Sequence, residues 1–215
     1  LPLNLKFLIE GEEEVGSPNL HAFVADNLEK LKCDCVVISD SAQFAPGVPA
    51  ITYGLRGIAY YELRLVGPNR DLHSGTFGGA VTNPATALVR ILAELKDSDG
   101  RIQIPGFYDD VLPLTDEERE QLAALPFDEK NFREQLDVAG TTGEEGYTTL
   151  ERRWARPTCD INGLFSGYQG EGAKTVLPAK AGAKLSFRLV PKQDPRWLTA
   201  ALKSWLEARM PPGIR

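Results

Sequence analysis

Leu5-Lys6-Phe7-Leu8-Ile9-Glu10-Gly11-Glu12-Glu13-Glu14-Val15-Gly16-Ser17 passes directly from an apolar run into a crowd of carboxylates. Leu3 to Ile9 is apolar enough to predict a buried strand, and the acidic loop then sits at its C-terminal mouth. Like charges that close repel, so the cluster is either spread into solvent or gathered around a cation. The following stretch decides which geometry is available. Asn19 to Lys32 spaces Leu20, Phe23, Val24, Leu28 and Leu31 as a helix does, with Ser17-Pro18 as its start. Cys35 to Ser39 is a short β-branched run that reads as a second buried strand. Strand, helix, strand predicts a parallel βαβ unit with a right-handed crossover. Parallel neighbours end on one edge of the sheet, where open α/β sheets place their ligand crevice. The expectation is that Glu13, Glu14 and Asp40 converge there.

Bulk composition narrows the classes. Of 215 residues, 42% are hydrophobic and 25% charged, ordinary values for a globular protein. Twenty-four basic against 30 acidic residues give a net charge of -6, which argues against nucleic acid or an anionic membrane as partner. No apolar stretch approaches the roughly 20 residues that span a bilayer, and no signal-peptide pattern is present. Three cysteines, Cys33, Cys35 and Cys159, form an odd, sparse set that suits a reducing, cytoplasmic setting. Cys33 and Cys35 are expected to be core thiols rather than ligands. The chain begins at Leu1 and opens almost at once into a strand, so a piece of something longer is expected.

Beyond Gly57 the pattern changes. Ala50 to Tyr53 and Ile58 to Val66 alternate as half-exposed antiparallel strands do. A domain boundary is therefore placed near Gly57, giving a partial α/β catalytic-domain piece over 1–57 and an α+β domain over 58–215. Asn83-Pro84 opens a helix to about Lys96. Thr115-Asp116-Glu117-Glu118 predicts a capping box on a short helix inside an otherwise irregular insertion, 101–157. Ile161 to Tyr168 and Lys174 to Val190 return to strand chemistry, and Trp197 to Met210 is an amphipathic helix. Two helices over about three antiparallel strands predict a small α+β sandwich with one sheet face covered and a last strand lacking.

Several residues carry chemistry on either of two readings. Glu12-Glu13-Glu14 is a solvated loop, or it offers one carboxylate to a metal while its neighbour serves as a base. Asp40 is an ordinary strand-end acid unless it lies near them. Oxygen-rich sites suit Mg, Ca, Mn or Zn alike. His73, in Asp71-Leu72-His73-Ser74-Gly75 and followed by Gly78-Gly79, is structural or a donor to a substrate oxygen. His21 falls on the surface of its helix. Arg188 is an outward strand residue, or a planar fork for a substrate carboxylate. The glycine-rich loop 167–172 lacks the Gly-Lys-Ser/Thr ending of a P-loop and is not read as a phosphate site.

Taken in order, Ile9 to Ser17, Ile38-Ser39-Asp40, Ile51 to Gly57, Asp71 to Gly75, Ala173 to Pro178 and Phe187 to Pro191 resemble the co-catalytic zinc aminoacylase/carboxypeptidase family. Within it the likeness is greatest to carnosinase-like cytosolic dipeptidases. It extends into the insertion through Ile104-Pro105-Gly106 and Arg153-Trp154. The resemblance implies a zinc-binding α/β domain and an inserted lid domain that forms a homodimer. It implies Glu13 as general base, Glu14 as ligand of one metal and Asp40 as ligand of the other. His73 then matches the lid histidine that reaches the partner subunit's site to polarise the scissile carbonyl, and Arg188 the arginine that holds the substrate's terminal carboxylate. The implied cofactor is two zinc ions per complete protomer, with manganese an alternative, lowering the pKa of a bridging water toward about 7.

The family's upstream His-x-Asp and downstream ligand histidine have no counterpart here, since His21 precedes Ala22-Phe23 and His73 matches the lid position. The expectation is an internal fragment of a dipeptidase, inactive as it stands. Alternatives are an N-acyl-amino-acid deacylase of the same family and a non-catalytic dimerisation module.

Overall fold

The computed structural model describes residues 2–38, 40 and 43–215. The chain divides into two compact units, Leu1–Thr52 and Tyr53–Arg215.

In the first unit a 3-10 turn at Glu13–Val15 precedes two short helices, α1 (Leu20–Asp26) and α2 (Leu28–Leu31). The single helix expected over Asn19 to Lys32 is broken at Asn27, whose side-chain amide donates to the Phe23 carbonyl at 2.9 Å. Asparagine competes with the helix for its own backbone partners in this way. Neither Leu3–Ile9 nor the described part of Cys35–Ser39 lies in a strand, and Ser39 itself is outside the described residues. The parallel βαβ unit is therefore not formed among the described residues. The physical reason is a lack of cover. Runs this apolar belong to strands buried on both faces, yet Ile9 is 91% and Val37 85% exposed. The same lack corrects the reading of Cys33 and Cys35 as core thiols, because both are exposed. Ala50 to Tyr53, expected as a strand, is also unpaired.

The second unit is built on β1 (Gly57–Val66), β2 (Leu72–His73), β3 (Thr158–Ser166), β4 (Val176–Leu177) and β5 (Lys180–Leu189). β5 runs between β1 and β3, antiparallel to both, while β2 and β4 form a separate two-stranded ribbon. The helices are α3 (Ser74–Phe77), α4 (Pro84–Ala93), α5 (Asp116–Ala123), α6 (Glu129–Leu136), α7 (Thr149–Trp154) and α8 (Pro195–Glu207).

Alternation along β5 sorts its two faces. Ala181, Ala183, Leu185, Phe187 and Leu189 are buried, whereas Lys180, Lys184 and Arg188 are exposed. Against the buried face lie Ala87, Leu88, Ile91 and Leu92 of α4 and Leu198, Leu202 and Trp205 of α8, closed by Ile102, Ile104 and Phe107 from the insertion. The antiparallel sheet with one covered face is thus present. At the far edge of β1, Val66 and Arg215 exchange backbone hydrogen bonds of 2.7 and 3.0 Å.

The insertion 101–157 is more ordered than its sequence suggests. The Thr115–Glu118 capping box forms as expected, and a second joins Thr148 to Glu151. Arg156 grips Glu144 with two hydrogen bonds of 2.7 and 2.8 Å, both side chains being nearly fully buried. Arg101 adds a third bond to Glu144 at 2.8 Å, and the Arg156 guanidinium lies over the Tyr147 ring at 4.3 Å. Burial alone would lower the Arg156 pKa, but the Glu144 carboxylate reverses the sign and holds it above the ordinary arginine value. Removing one partner of such a pair strands a buried charge. Glu144→Gln is expected to destabilise the second unit by about 3–5 kcal/mol, read from urea unfolding.

Cys159 on β3 is buried, and burial pushes its thiol up to about 12. At pH 8 a maleimide should label Cys33 and Cys35 within minutes and Cys159 only on unfolding. Because the folded thiol keeps a proton that the unfolded one loses, stability contributed by this group should fall as pH rises from about 9 towards 12.

Candidate active site

The acidic loop has a defined local shape. The Glu12 carbonyl accepts the N–H groups of Val15 and Ser17 at 3.1 and 2.9 Å, and Gly16 closes the turn with φ +86°. That left-handed backbone favours glycine. The Glu12 carboxylate is drawn aside by Asn19, whose Nδ2 lies 2.9 Å from each of its oxygens. Glu13 and Glu14 are left exposed, as is Asp40. Among the described residues no three His, Cys, Asp or Glu side chains gather as a metal group. The expected convergence of Glu13, Glu14 and Asp40 is not assembled, for the same reason that the βαβ unit is not: no sheet edge holds the loops together. Carboxylate oxygens suit a divalent cation, but this donor set does not fit a metal centre by itself.

His73 is held far more closely. It ends β2, paired with Val176, and caps the short α3. Its Nδ1 accepts the Gly75 N–H at 3.1 Å, while Nε2 lies 3.2 Å from the Thr175 hydroxyl. A ring nitrogen that accepts an amide proton carries none, so the neutral imidazole bears its hydrogen on Nε2. The glycines around it are required by space. A Cβ on Gly75 would stand 2.9 Å from His73 Cε1, and one on Gly78 would run into the Ser74 carbonyl. Asp71 fixes the base of the ribbon by accepting the Ala179 N–H at 2.8 Å. The result is an exposed ring whose Nε2–H is directed at the Thr175 hydroxyl.

Arg188 lies on the open face of β5, opposite Ile58 of β1 and Thr158 of β3. Sequence reasoning missed its neighbour Arg56. The Arg56 guanidinium donates through Nη1 to the Arg156 carbonyl at 3.1 Å. Partial burial, then the charges of Arg188 and Arg153, lower its pKa, and only Asp160 acts in the opposite direction. No periodic signal marks Arg56, which precedes its strand by one residue; only the register of the sheet brings it beside Arg188.

Residues 53–214 match the family described as the peptidase dimerisation domain, of M20 type. The chain is 39% identical over 195 residues to the Cys-Gly metallodipeptidase dug1 of Schizosaccharomyces pombe, covering 90% of this chain and 41% of that protein. It is 39% identical over 196 residues to the human Beta-Ala-His dipeptidase, covering 90% and 39%. Among solved structures, the M20 family metallo-carboxypeptidase Sso-CP2 from Sulfolobus solfataricus superposes with a TM-score of 0.81 at 40% identity, over 96% of this chain and 47% of that one. The chain spans about two fifths of the length of these curated relatives. Among the described residues no helix is long and apolar enough to cross a membrane.

The clamp on the imidazole can be tested directly. Gly75→Ala should force the ring from its seat, seen by nitrogen-15 correlation spectra as loss of the single Nε2–H tautomer, with the core of the second unit unchanged.

Proposed function

The chain belongs to the M20 peptidase family through its dimerisation domain, and on that premise we propose that it forms the lid-bearing part of a metal-dependent dipeptidase. The observation that carries the reading is the match, over nine tenths of the chain, to proteins named as dipeptidases. The seated His73 supports it, because hydrolysis of an amide needs a donor aimed at the oxygen on which charge develops.

In this reading Arg188 receives the carboxylate of the dipeptide's C-terminal residue as a two-pronged hydrogen bond. Water adds to the peptide carbonyl while Glu13 takes its proton. The same proton passes from Glu13 to the departing amine nitrogen as the C–N bond breaks. The His73 Nε2–H, exchanging the Thr175 hydroxyl for substrate, donates to the carbonyl oxygen as it becomes an oxyanion, reaching the site of a second copy in a homodimer. Glu14 and Asp40 would supply part of the ligand set for the family's metal, two zinc ions or manganese. A cytoplasmic setting accords with the free cysteines.

A second reading is favoured by one observation: the matched segment 53–214 coincides with the unit that holds the hydrophobic core formed among the described residues. A non-catalytic dimerisation module needs nothing more.

Four measurements bear on these readings. The 215-residue chain alone, given zinc or manganese, should show no turnover. In the protein that carries this sequence, Glu13→Gln should lower kcat by about 10²–10⁴-fold with little change in KM. Cys-Gly and β-Ala-His should be cleaved faster than N-acetyl amino acids, and the reverse order would favour the deacylase. Absence of bound metal in that protein would leave the module.

A further inference from the structure

We infer that Arg56 is a second cation of the subsite that Arg188 serves, and that the two together receive an anionic terminus of the substrate. The inference deepens the dipeptidase reading and rests on its assignment of Arg188.

The sheet order makes the case. Arg56 lies one residue before β1, and the carbonyl to which it donates belongs to Arg156, two residues before β3. β5 runs between those strands, and Arg188 sits near its end, opposite Ile58 on one side and Thr158 on the other. To reach Arg156 the Arg56 side chain crosses the end of β5 beside Arg188. Arg153, on α7, is close enough to act on the same guanidinium, and the one acid that does so is Asp160. The charges of Arg188 and Arg153 thus act against that of Arg56, and Asp160 offsets them. Among the described residues, no ion pair engages Arg56, Arg153 or Arg188.

Two guanidinium groups brought together with one half-buried repel each other, and a fold that keeps them has an anion to share between them. A carboxylate offers two oxygens and about four lone-pair directions, enough for two planar forks. The competing account is that Arg56 merely ties the sheet end to the Arg156 carbonyl. That account needs the hydrogen bond but not the charge, so the two separate experimentally.

The test follows the arginine Nε–Hε signals of the protein in nitrogen-15 spectra during titration with alanyl-glycine and with its C-terminal amide. Both Arg56 and Arg188 signals, assigned by their loss in the lysine variants, should move with alanyl-glycine and neither with the amide. Arg56→Gln should weaken alanyl-glycine binding about three- to fivefold and leave amide binding as it was. Arg56→Lys, which keeps the charge, should restore most of that loss, while both variants melt near the parent temperature. Equal weakening of both ligands, or a lysine variant as weak as the glutamine one, would assign Arg56 to structure alone and overturn the inference. If Arg188 responds and Arg56→Gln binds as the parent does, this inference fails while the dipeptidase reading stands. If neither arginine responds, the assignment of Arg188 fails and takes this inference with it.

Discussion

The second unit depends on one strand. β5 is hydrogen-bonded on both edges and turns five apolar side chains, Ala181 to Leu189, into the core. Its small residues set how closely other groups approach. Ala181 and Ala183 allow α4 and the sheet to close together, and the Phe165 ring lies directly against Gly182 on the opposite face. A one-residue slip would exchange Leu185 for Lys184 in the core, so the register is strongly specified. That register also determines which side chains meet at the end of the sheet, because Arg188 inherits its neighbours from the strands on either side.

How much could be seen in the sequence follows from where each signal originates. α4, α8 and β5 announce themselves because each buries one periodic face, and Asn83-Pro84 marks a helix start that the structure confirms through the bond from Ala85 N–H to Asn83. The Thr115 box was equally readable. Thr148-x-x-Glu151 carries the same pattern and could have revealed α7. α6 was harder, since its only start signal is Asp128 and its faces are mostly polar. The Glu144–Arg156 pair was not legible at all: a buried ion pair leaves no periodicity, only two ordinary charges twelve residues apart.

The candidate site divides along the same line. His73 was recognisable as a residue type among glycines, and half of its seat is local, the bond from Gly75; the other half, Thr175 just before β4, is 102 residues away and was not legible. The acidic loop was read from a supposed partnership between two strands. Such a partnership is non-local, and hydrophobic runs such as Phe7 to Ile9 state only that cover is needed, not what supplies it. Arg56 represents the opposite case: it lies within the family-like stretch Ile51 to Gly57, but no periodicity points to it, and its setting arises from tertiary register.

The Arg156 residue joins two systems that would otherwise be independent. Its side chain closes the ion pair that organises the insertion, and its carbonyl receives Arg56 at the end of the sheet. Backbone and side chain of one residue cannot be relocated separately. Lengthening or trimming the segment around Glu144 would therefore tug on a guanidinium at the rim of the β-layer, and a lineage that remodels this appendage would shift Arg56 against Arg188 while leaving every strand in place.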